Sequence, residues 1–216
     1  MNQKDHSLIE KMNITTEAIV GNQCDRNSVE EFIYNGKLIR YFNFAERGVG
    51  LNRNNTLMRA NAEIVLFADD DMVYFDNYER IVQDAFIRIP QADVIVFNLK
   101  ENQSVRKIYK KESRVGYFNY MRYGTARIAA RLYSIRKHGI YFNQCFGGGT
   151  EHSHGEDTLF LHACLKKGLK IIACPDYIAE LKVERQSTWN KGFDEKYLED
   201  QGCLYKTISR KYWKLL

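Results

Sequence analysis

The sequence has little proline and no long apolar run, and these two scarcities exclude several classes of protein. Only two prolines occur in 216 residues, which argues against a collagen-like or linker-rich chain. No apolar stretch approaches the roughly 18–20 residues that span a bilayer. The first residues also lack the apolar core of a secretion signal. We therefore expect a cytoplasmic protein without a transmembrane segment.

The chain also lacks a strong net charge and any paired cysteine motif. Its formal net charge of +5 is too small for a nucleic-acid-binding surface, although it permits contact with phosphate-bearing small molecules or an anionic membrane. The five cysteines are Cys24, Cys145, Cys164, Cys174 and Cys203. None belongs to a C-x-x-C pair or has a histidine at zinc-finger spacing, so we expect reduced thiols and no structural zinc.

The composition fits one folded domain. Hydrophobic residues make up 44% of the chain and aromatic residues 13%, which is enough for a single core and too much for disorder. Strand-like and helix-like segments alternate along the first half, and this alternation predicts an α/β domain with a mostly parallel sheet flanked by helices. No repeat or linker divides the sequence. We predict a single domain over residues 1–216, in which residues 190–216 form a C-terminal helical tail.

Several segments carry local signals of their own. Asn35-Gly36 lies between two β-rich runs and predicts a hairpin, because both residues tolerate a positive φ. Thr15 to Gly21 predicts a strand that closes on a Gly-Asn turn, and Leu169 to Cys174 predicts a last strand before Pro175. The stretch from Asn77 to Arg88 has the apolar spacing of a helix.

The aspartates Asp69, Asp70 and Asp71 are the sharpest chemical signal in the sequence. They directly follow Glu63 to Ala68, whose apolar run predicts a buried central strand. Open α/β sheets bind ligands at the carboxyl ends of their strands, and two carboxylates spaced i, i+2 can reach one divalent cation. A solvated turn before the Asn77 helix is an equally good interpretation of the triplet alone.

Glu156 and Asp157 form a second acidic feature. They follow Gly155 and open an amphipathic helix. The helix dipole alone commonly explains acidic residues in a first turn. The same dipole keeps a carboxylate ionised, as a general base for a hydroxyl group requires, so both interpretations stay open.

Other motifs are weak or missing. The run Gly48-Val49-Gly50-Leu51-Asn52-Arg53 has Arg53 where a dinucleotide fingerprint has its third glycine, which argues against a Rossmann oxidoreductase. An arginine in this loop nevertheless suits a phosphate or a base edge. The sequence contains no P-loop, no H-E-x-x-H and no G-x-S-x-G motif.

Histidines and aromatic residues near the acidic motifs allow two interpretations. His152 and His154 suit contact with a sugar, or simply a place in a surface loop. Four aromatic residues of a polar, basic stretch suit either stacking on sugar rings or hydrophobic packing: Tyr117, Phe118, Tyr120 and Tyr123.

Taken together, these motifs resemble the family-2 glycosyltransferases, which have the GT-A fold. The segment from Gly50 to Asp71 is similar to the family's G-L-S-x-A-R-N … A-x-G-E-Y-I-x-F-x-D-x-D run. The segment Gly155-Glu156-Asp157-Thr158-Leu159-Phe160 is similar to its G-E-D-x-x-L motif. The resemblance covers roughly residues 17–189 and implies a metal-dependent enzyme that inverts the anomeric configuration of a sugar taken from a nucleotide-sugar.

The resemblance implies a role for each matching acidic residue. Asp71 would bind Mn²⁺ or Mg²⁺, Asp69 would bind the metal or the nucleotide ribose, and Asp70 would lie beside them. Asp157, or its neighbour Glu156, would be the base that deprotonates the acceptor hydroxyl.

Further positions are implied in the nucleotide pocket. Asn22 stands where the family often has an aspartate that contacts the base, and Arg53 would lie near the nucleotide. The family often has a metal- or diphosphate-binding histidine after its last strand, but no histidine follows His162 here. Ser187 and Thr188 occupy that region as candidate diphosphate contacts.

The family sequence opens with a strand that contacts the nucleotide base, whereas this sequence opens with what resembles the loop after it. We therefore expect the fold to lack its first strand. The implied donor is a UDP-sugar, and the implied acceptor is a glycan or a lipid-linked glycan. The basic, aromatic segment from Leu204 to Leu216 would pack on the domain or touch the inner face of a membrane. A sugar-1-phosphate nucleotidyltransferase and a non-catalytic sugar-nucleotide binding protein are the alternative functions.

Overall fold

The computed structural model describes residues 2–101, 108–182 and 194–215. The helices are α1 (Leu8–Lys11), α2 (Val49–Arg59), α3 (Tyr78–Arg88), α4 (Leu132–Lys137), α5 (Glu156–Lys166) and α6 (Glu195–Ile208). The strands are β1 (Ala18–Gln23), β2 (Ser28–Tyr34), β3 (Lys37–Phe44), β4 (Ile64–Leu66), β5 (Met72–Tyr74), β6 (Val94–Lys100), β7 (Ser113–Val115), β8 (Ile128–Arg131) and β9 (Ile171–Leu181). Short 3₁₀ turns cover residues 120–122, 125–127 and 213–215.

The strands form two sheets. One has three strands in the order β1-β3-β2, and the other has six, in the order β4-β8-β6-β9-β5 with β7 also paired to β9. Among the strands of the described residues, the β1–β3 and β6–β9 pairs are parallel and the others are antiparallel. The predicted α/β domain is therefore present, but its sheets are mixed rather than mostly parallel.

Turn chemistry explains part of this mixture. The Asn35-Gly36 turn has φ values of 48° and 75°, as the predicted hairpin requires, and it makes β2 and β3 antiparallel. In the larger sheet, β8 runs antiparallel to both of its neighbours, β4 and β6. β8 thus lies between β4 and β6 in the sheet, although it follows both of them in the chain.

Two apolar clusters pack on the two faces of the larger sheet. Side chains of β6 alternate between them, with Val94 and Val96 in one cluster and Ile95 and Phe97 in the other. The first cluster includes apolar residues of α2, α4 and α5, and the second includes those of α1 and α3, so helices cover both faces. The whole of β6 up to Leu99 is consequently buried.

The position of β4 corrects one prediction. β4 was expected at the centre of the sheet, yet it lies at an edge, where β8 is its strand partner among the described residues. Val65 packs against one apolar cluster, whereas Ile64 and Leu66 pack against the other. A continuous apolar run thus reports that both faces of a strand are covered, and it carries no information about neighbours within the sheet.

Two predicted strand ends are also corrected. β1 does not turn at Gly21 but continues to Gln23, so Asn22 is a buried strand residue. β9 continues past Pro175 to Leu181. The register with β6 shifts near this proline, and the Asn98 side chain donates a 2.8 Å hydrogen bond to the Pro175 carbonyl. Strands accept proline at such irregularities because no ladder N–H is needed there.

The last described element is α6, whose Asp194 side chain caps the first turn by accepting from the Tyr197 amide. Leu204 of this helix packs with Phe146 and Leu159. Within residues 2–101, 108–182 and 194–215, every helix is too short or too polar to cross a bilayer.

Candidate active site

The centre of the candidate site is Arg53, on the second turn of α2. Its Nη2 donates to Oδ1 of Asp69 at 2.6 Å, and its Nη1 donates to Oε1 of Glu156 at 2.9 Å. The Arg53 side chain is only 11% exposed, so these charge-assisted hydrogen bonds are shielded from water. One guanidinium group therefore joins the acidic residue after β4 to the acidic residue that begins α5.

The start of α2 is held in place by two backbone contacts. The Gly48 amide donates to Oε1 of Gln23 at 2.8 Å, and the Val49 amide donates to the Gly148 carbonyl at 2.9 Å. The first contact ties α2 to the end of β1. The second ties it to the glycine-rich loop that precedes α5.

Gly147 in this loop allows the close approach of α2 and α5. Its φ is 98°, and a Cβ built there would lie 2.5 Å from Cγ1 of Val49 and 2.6 Å from Oε2 of Glu156. A side chain at this position would therefore be strained in its backbone and would collide with both helices. The predicted glycine-rich loop is needed for packing around Glu156.

Asp157 is the second carboxylate at the start of α5. Burial, and next the negative charge of Glu156, raise the pKa of Asp157 to about 6. The Thr158 amide, which donates to Oδ1 at 2.7 Å, and the charge of Arg53 oppose this rise. A carboxyl group with a pKa near 6 is ionised at neutral pH and still basic enough to accept a proton.

The aspartates after β4 differ in their surroundings. Asp69 is held by Arg53 and keeps 44% of its side chain exposed. Asp70 is exposed and accepts from Nε2 of Gln3 at 3.0 Å. Asp71 is exposed as well, and its carbonyl accepts from the Lys182 amide. The three aspartates thus have different surroundings, and their carboxylates do not converge on one point.

A metal would need further ligands at this triplet. Among the described residues, no three His, Cys, Asp or Glu side chains are grouped to hold a metal ion. The chemistry of Asp69 and Asp71 nevertheless fits Mg²⁺ or Mn²⁺, because these cations take one or two carboxylates together with substrate phosphates. The donor atoms fit such a cation as part of its coordination shell.

Asn22 lies near the same end of the molecule through its contacts with Gln3. Its Oδ1 accepts from the Gln3 amide at 2.8 Å, and its Nδ2 donates to the Gln3 carbonyl and to Oδ1 of Asn43. Since Gln3 also binds Asp70, it links two of the predicted nucleotide-binding residues. Sequence reasoning missed Gln3, because a single glutamine in a terminal loop carries no recognisable signal.

The two loop histidines contact α6. His152 Nδ1 lies 3.0 Å from Oδ1 of Asp200, and His154 Nε2 lies 2.9 Å from Oε1 of Gln201. Both side chains are partly buried and attach the loop before α5 to this helix. Ser187 and Thr188 lie outside the described residues.

Comparison with known proteins identifies the class of protein as the glycosyltransferases. The family described as glycosyl transferase family 2 matches residues 6–146, about two thirds of the chain, and the protein belongs to this family. This confirms the resemblance deduced from the motifs. The matched region contains Arg53 and the aspartate triplet but ends before Glu156.

The solved structures that resemble this fold include crystal structures from Staphylococcus aureus. The crystal structure of TarS 1–349 in complex with UDP-GlcNAc matches with a TM-score of 0.63 and 19% identity. The matched region covers 79% of this chain and 50% of the TarS chain. The same protein in complex with UDP has a TM-score of 0.54 and 19% identity, with 82% and 56% coverage. At this identity the likeness shows the fold, and the chain spans about half the length of these structures. No curated protein sequence matches the chain.

Proposed function

We propose that this protein transfers a sugar from a UDP-sugar to a hydroxyl group of a glycan or lipid-linked glycan, with inversion at the anomeric carbon. The observation that carries the proposal is that Asp69 and Glu156 both form ion pairs with Arg53. This brings the acidic motif assigned to the sugar donor and the acidic motif assigned to the acceptor hydroxyl together at one site. Family membership supports the reaction class, and the UDP and UDP-GlcNAc complexes of TarS support the type of donor.

The donor nucleotide is proposed to bind along the ends of β1 and β4. Asn22 and Asp70 are both joined to Gln3, so a base and ribose placed there would meet amide and carboxylate groups together. Arg53 lies between Asp69 and Glu156 and keeps the two carboxylates from repelling each other before substrate arrives. We assign Asn22, Arg53, Asp69 and Asp70 to the nucleotide-sugar site.

Asp71 and Asp69 are proposed to hold Mn²⁺ or Mg²⁺. When bound, such a cation stabilises the negative charge that develops on the diphosphate leaving group. The protein's own contribution is to present two exposed or half-exposed carboxylates at the end of a strand whose two faces are packed. Exposure matters because the phosphates of the donor must complete the coordination shell.

Asp157 is proposed as the general base. In one displacement, the acceptor oxygen forms a bond to the anomeric carbon while the bond from that carbon to the diphosphate oxygen breaks. The diphosphate leaves with the bonding electrons, and the acceptor proton moves to the Asp157 carboxylate. Proton transfer of this kind contributes about 10²–10⁴-fold to the rate. Attack on the face opposite the leaving group inverts the anomeric configuration.

Glu156 has a supporting role in this arrangement. Its carboxylate is held by the Arg53 guanidinium at 2.9 Å, so it is less available than Asp157 to accept a proton. We assign Glu156 to holding Arg53 and to raising the pKa of Asp157 through its negative charge.

Donor hydrolysis tests this proposal. UDP release from a panel of UDP-sugars is measured with and without Mn²⁺ for the wild type and for Asp157→Ala. We expect metal-stimulated release by the wild type and a loss of at least about 10²-fold in the variant. Binding of UDP-sugar without turnover in both proteins would favour a binding protein, and pyrophosphate release from UTP and a sugar phosphate would favour a nucleotidyltransferase.

The C-terminal segment is proposed to bring the enzyme to the inner face of a membrane. Lys206, Arg210 and Lys211 are exposed, and Tyr212 beside them is more than half exposed. Cations next to aromatic rings favour an anionic interface. Cosedimentation with vesicles containing anionic lipid, compared with neutral vesicles, measures this contact, and equal sedimentation with both would contradict it.

A further inference from the structure

The segment between β7 and β8, together with His162 of α5, contains buried polar atoms that lack partners. Within the described part of the chain, the hydroxyl groups of Tyr120 and Thr125 and Nδ1 of His162 are buried without a hydrogen bond. A buried polar atom left unpaired costs about 1–3 kcal/mol, so folded proteins keep few of them. The rings of Tyr120 and His162 pack against each other, so two of these unpaired groups are adjacent, which points to a ligand that supplies the missing partners.

Tyr120 and Thr125 lie close to α5, the helix that carries both His162 and Asp157. The Tyr120 ring packs against the His162 imidazole, with the ring centroids 5.7 Å apart. Thr125 directly follows Gly124, where a Cβ would lie 3.6 Å from Oδ2 of Asp157. The segment therefore extends from the middle of α5 to the proposed base at its first turn.

Two exposed aromatic rings border the unpaired polar groups. Tyr117 is 56% exposed and packs edge-on against both Tyr120 and His162, at centroid distances of 6.4 and 5.9 Å. Phe118, the next residue, is fully exposed. Aromatic rings beside hydrogen-bonding groups suit a ligand that has both apolar C–H faces and hydroxyl groups, and a sugar ring has both.

The protonation states also favour an uncharged ligand. Burial raises the pKa of Tyr120 to about 12 and lowers the pKa of His162 below its usual value. Burial thus favours the uncharged form of both groups. Neutral hydroxyl and imidazole groups complement sugar hydroxyls better than they complement a phosphate or a carboxylate.

We propose that Tyr117, Phe118, Tyr120, Thr125 and His162 form a binding site for the sugar rings of a neutral glycan, here named the aromatic subsite. The identification of that glycan as the acceptor rests on the proposed function, because it relies on Asp157 as the base. Binding of the glycan itself rests only on the rings and the unpaired polar atoms.

Removal of the exposed rings tests the aromatic subsite directly. Binding of maltotriose, cellotriose and triacetylchitotriose is measured by saturation-transfer NMR and by amide chemical shifts. We expect at least one sugar to bind, with shifts at residues 117–125 and 162. The double variant Tyr117→Ala/Phe118→Ala should weaken that binding about tenfold, since an aromatic contact contributes about 0.5–1.5 kcal/mol.

The matched control for these rings is Tyr133→Ala. Tyr133 is an exposed aromatic residue of α4, at 72% exposure, and its removal should leave glycan binding unchanged. Absence of binding by all three sugars, or equal binding by the double variant and the wild type, overturns the proposal.

Removal of one unpaired hydroxyl separates a binding role from a structural one. Tyr120→Phe deletes only an atom without a partner, so the melting temperature should stay the same or rise while glycan affinity falls severalfold. Tyr78→Phe is the control, because the Tyr78 hydroxyl is hydrogen-bonded to Thr16 at 2.7 Å. It should lower the melting temperature and leave glycan affinity unchanged. Unchanged glycan affinity in Tyr120→Phe overturns the role of this hydroxyl in the subsite.

The two proposals fail in different ways. Donor hydrolysis by the Tyr117→Ala/Phe118→Ala variant at wild-type rate, together with unchanged glycan binding, overturns the aromatic subsite and leaves the proposed function in place. Glycan binding at residues 117–125 without any donor hydrolysis overturns the proposed function and supports the aromatic subsite.

Discussion

Arg53 and Glu156 are 103 residues apart in the sequence and are joined by a 2.9 Å hydrogen bond within a nearly buried site. The same guanidinium binds Asp69, so α2, β4 and α5 meet at a single positive charge. The charges of Arg53, Asp69, Glu156 and Asp157 sum to −2 when all are ionised. An excess of negative charge favours the approach of a divalent cation.

Replacement of Arg53 by methionine should lower the free energy of unfolding and abolish turnover. The change keeps much of the side-chain volume but leaves Asp69 and Glu156 without their shared cation. We expect a loss of about 3 kcal/mol in the free energy of unfolding, at the low end of the range for buried ion pairs because Asp69 is half exposed. Urea denaturation followed by circular dichroism measures this loss.

Arg47→Met is the matched control for that experiment. Arg47 pairs with Asp25 at 2.7 Å, but both side chains are largely exposed, at 49% and 90%. An exposed pair contributes about 0–1 kcal/mol. Similar destabilisation by the two substitutions would show that the buried ion pairs of Arg53 contribute no more to stability than an exposed pair does.

The raised pKa of Asp157 predicts how activity depends on pH. The base must be ionised to accept a proton, and kcat/KM reports the ionisation of the substrate-free enzyme, so kcat/KM should rise as the pH increases through about 6 and level off above it. This rise should be absent from the residual rate of Asp157→Asn. A flat profile between pH 5 and 7 for the wild type would exclude Asp157 as the base.

The same pKa predicts an opposite effect on stability. A carboxyl whose pKa is higher in the folded state than in the unfolded state destabilises the fold once it ionises. The wild type should therefore lose stability as the pH rises through the interval from about 4, the unfolded value, to about 6. Asp157→Asn removes this loss and should raise the melting temperature at pH 8 but not at pH 4, as differential scanning calorimetry measures. A lower melting temperature for the variant at pH 8 would contradict the assignment.

Signals from residues close in sequence predicted which helices and strands form. They did not predict which strands lie beside one another in the sheet. The Asn35-Gly36 hairpin and the helix ending at Arg88 depend on residues close in sequence, and the structure contains both. The edge position of β4 depends on which strands flank it. The apolar run of Ile64–Leu66 reports only that both faces are covered, and for this reason it was misread as central.

In the candidate site, too, the features that depend on local sequence were predicted and those that depend on tertiary structure were not. The acidic motifs at residues 69–71 and 156–157 were found from their spacing, and the structure brings Asp69 and Glu156 to one guanidinium. The role of Arg53 as the link was not predicted, because the direction of a long side chain depends on how α2 packs against β4 and α5. The contacts of Gln3 with Asn22 and Asp70 depend on tertiary structure alone.

Gly147→Ala should disrupt the site by displacing Glu156. The new Cβ would lie within 2.6 Å of Glu156 and Val49, at a φ of 98° that side chains rarely adopt. We expect a loss of stability of about 1–3 kcal/mol from strain and crowding. Turnover should fall as well, because Glu156 must shift away from Arg53. Gly202→Ala, a helical glycine with open space around it, should be neutral or stabilising by up to about 1 kcal/mol. An equal response of the two variants in urea denaturation would contradict the packing role of Gly147.

Asp200→Asn should loosen α6 from the loop before the candidate base. The Asp200 carboxylate is fully buried and accepts from His152, from Lys196 and from both the amide and the hydroxyl of Ser153. These donors hold the pKa of Asp200 well below its usual value, although burial alone would raise it. Stability from this group is therefore present above pH 4 and is lost as the pH falls below that value. The amide cannot accept from all four donors, so hydrogen exchange in α6 should accelerate at pH 7, whereas at the lowest pH the variant and the wild type should converge. Unchanged exchange in α6 at pH 7 would show that other contacts, such as those of Leu204, suffice to hold the helix.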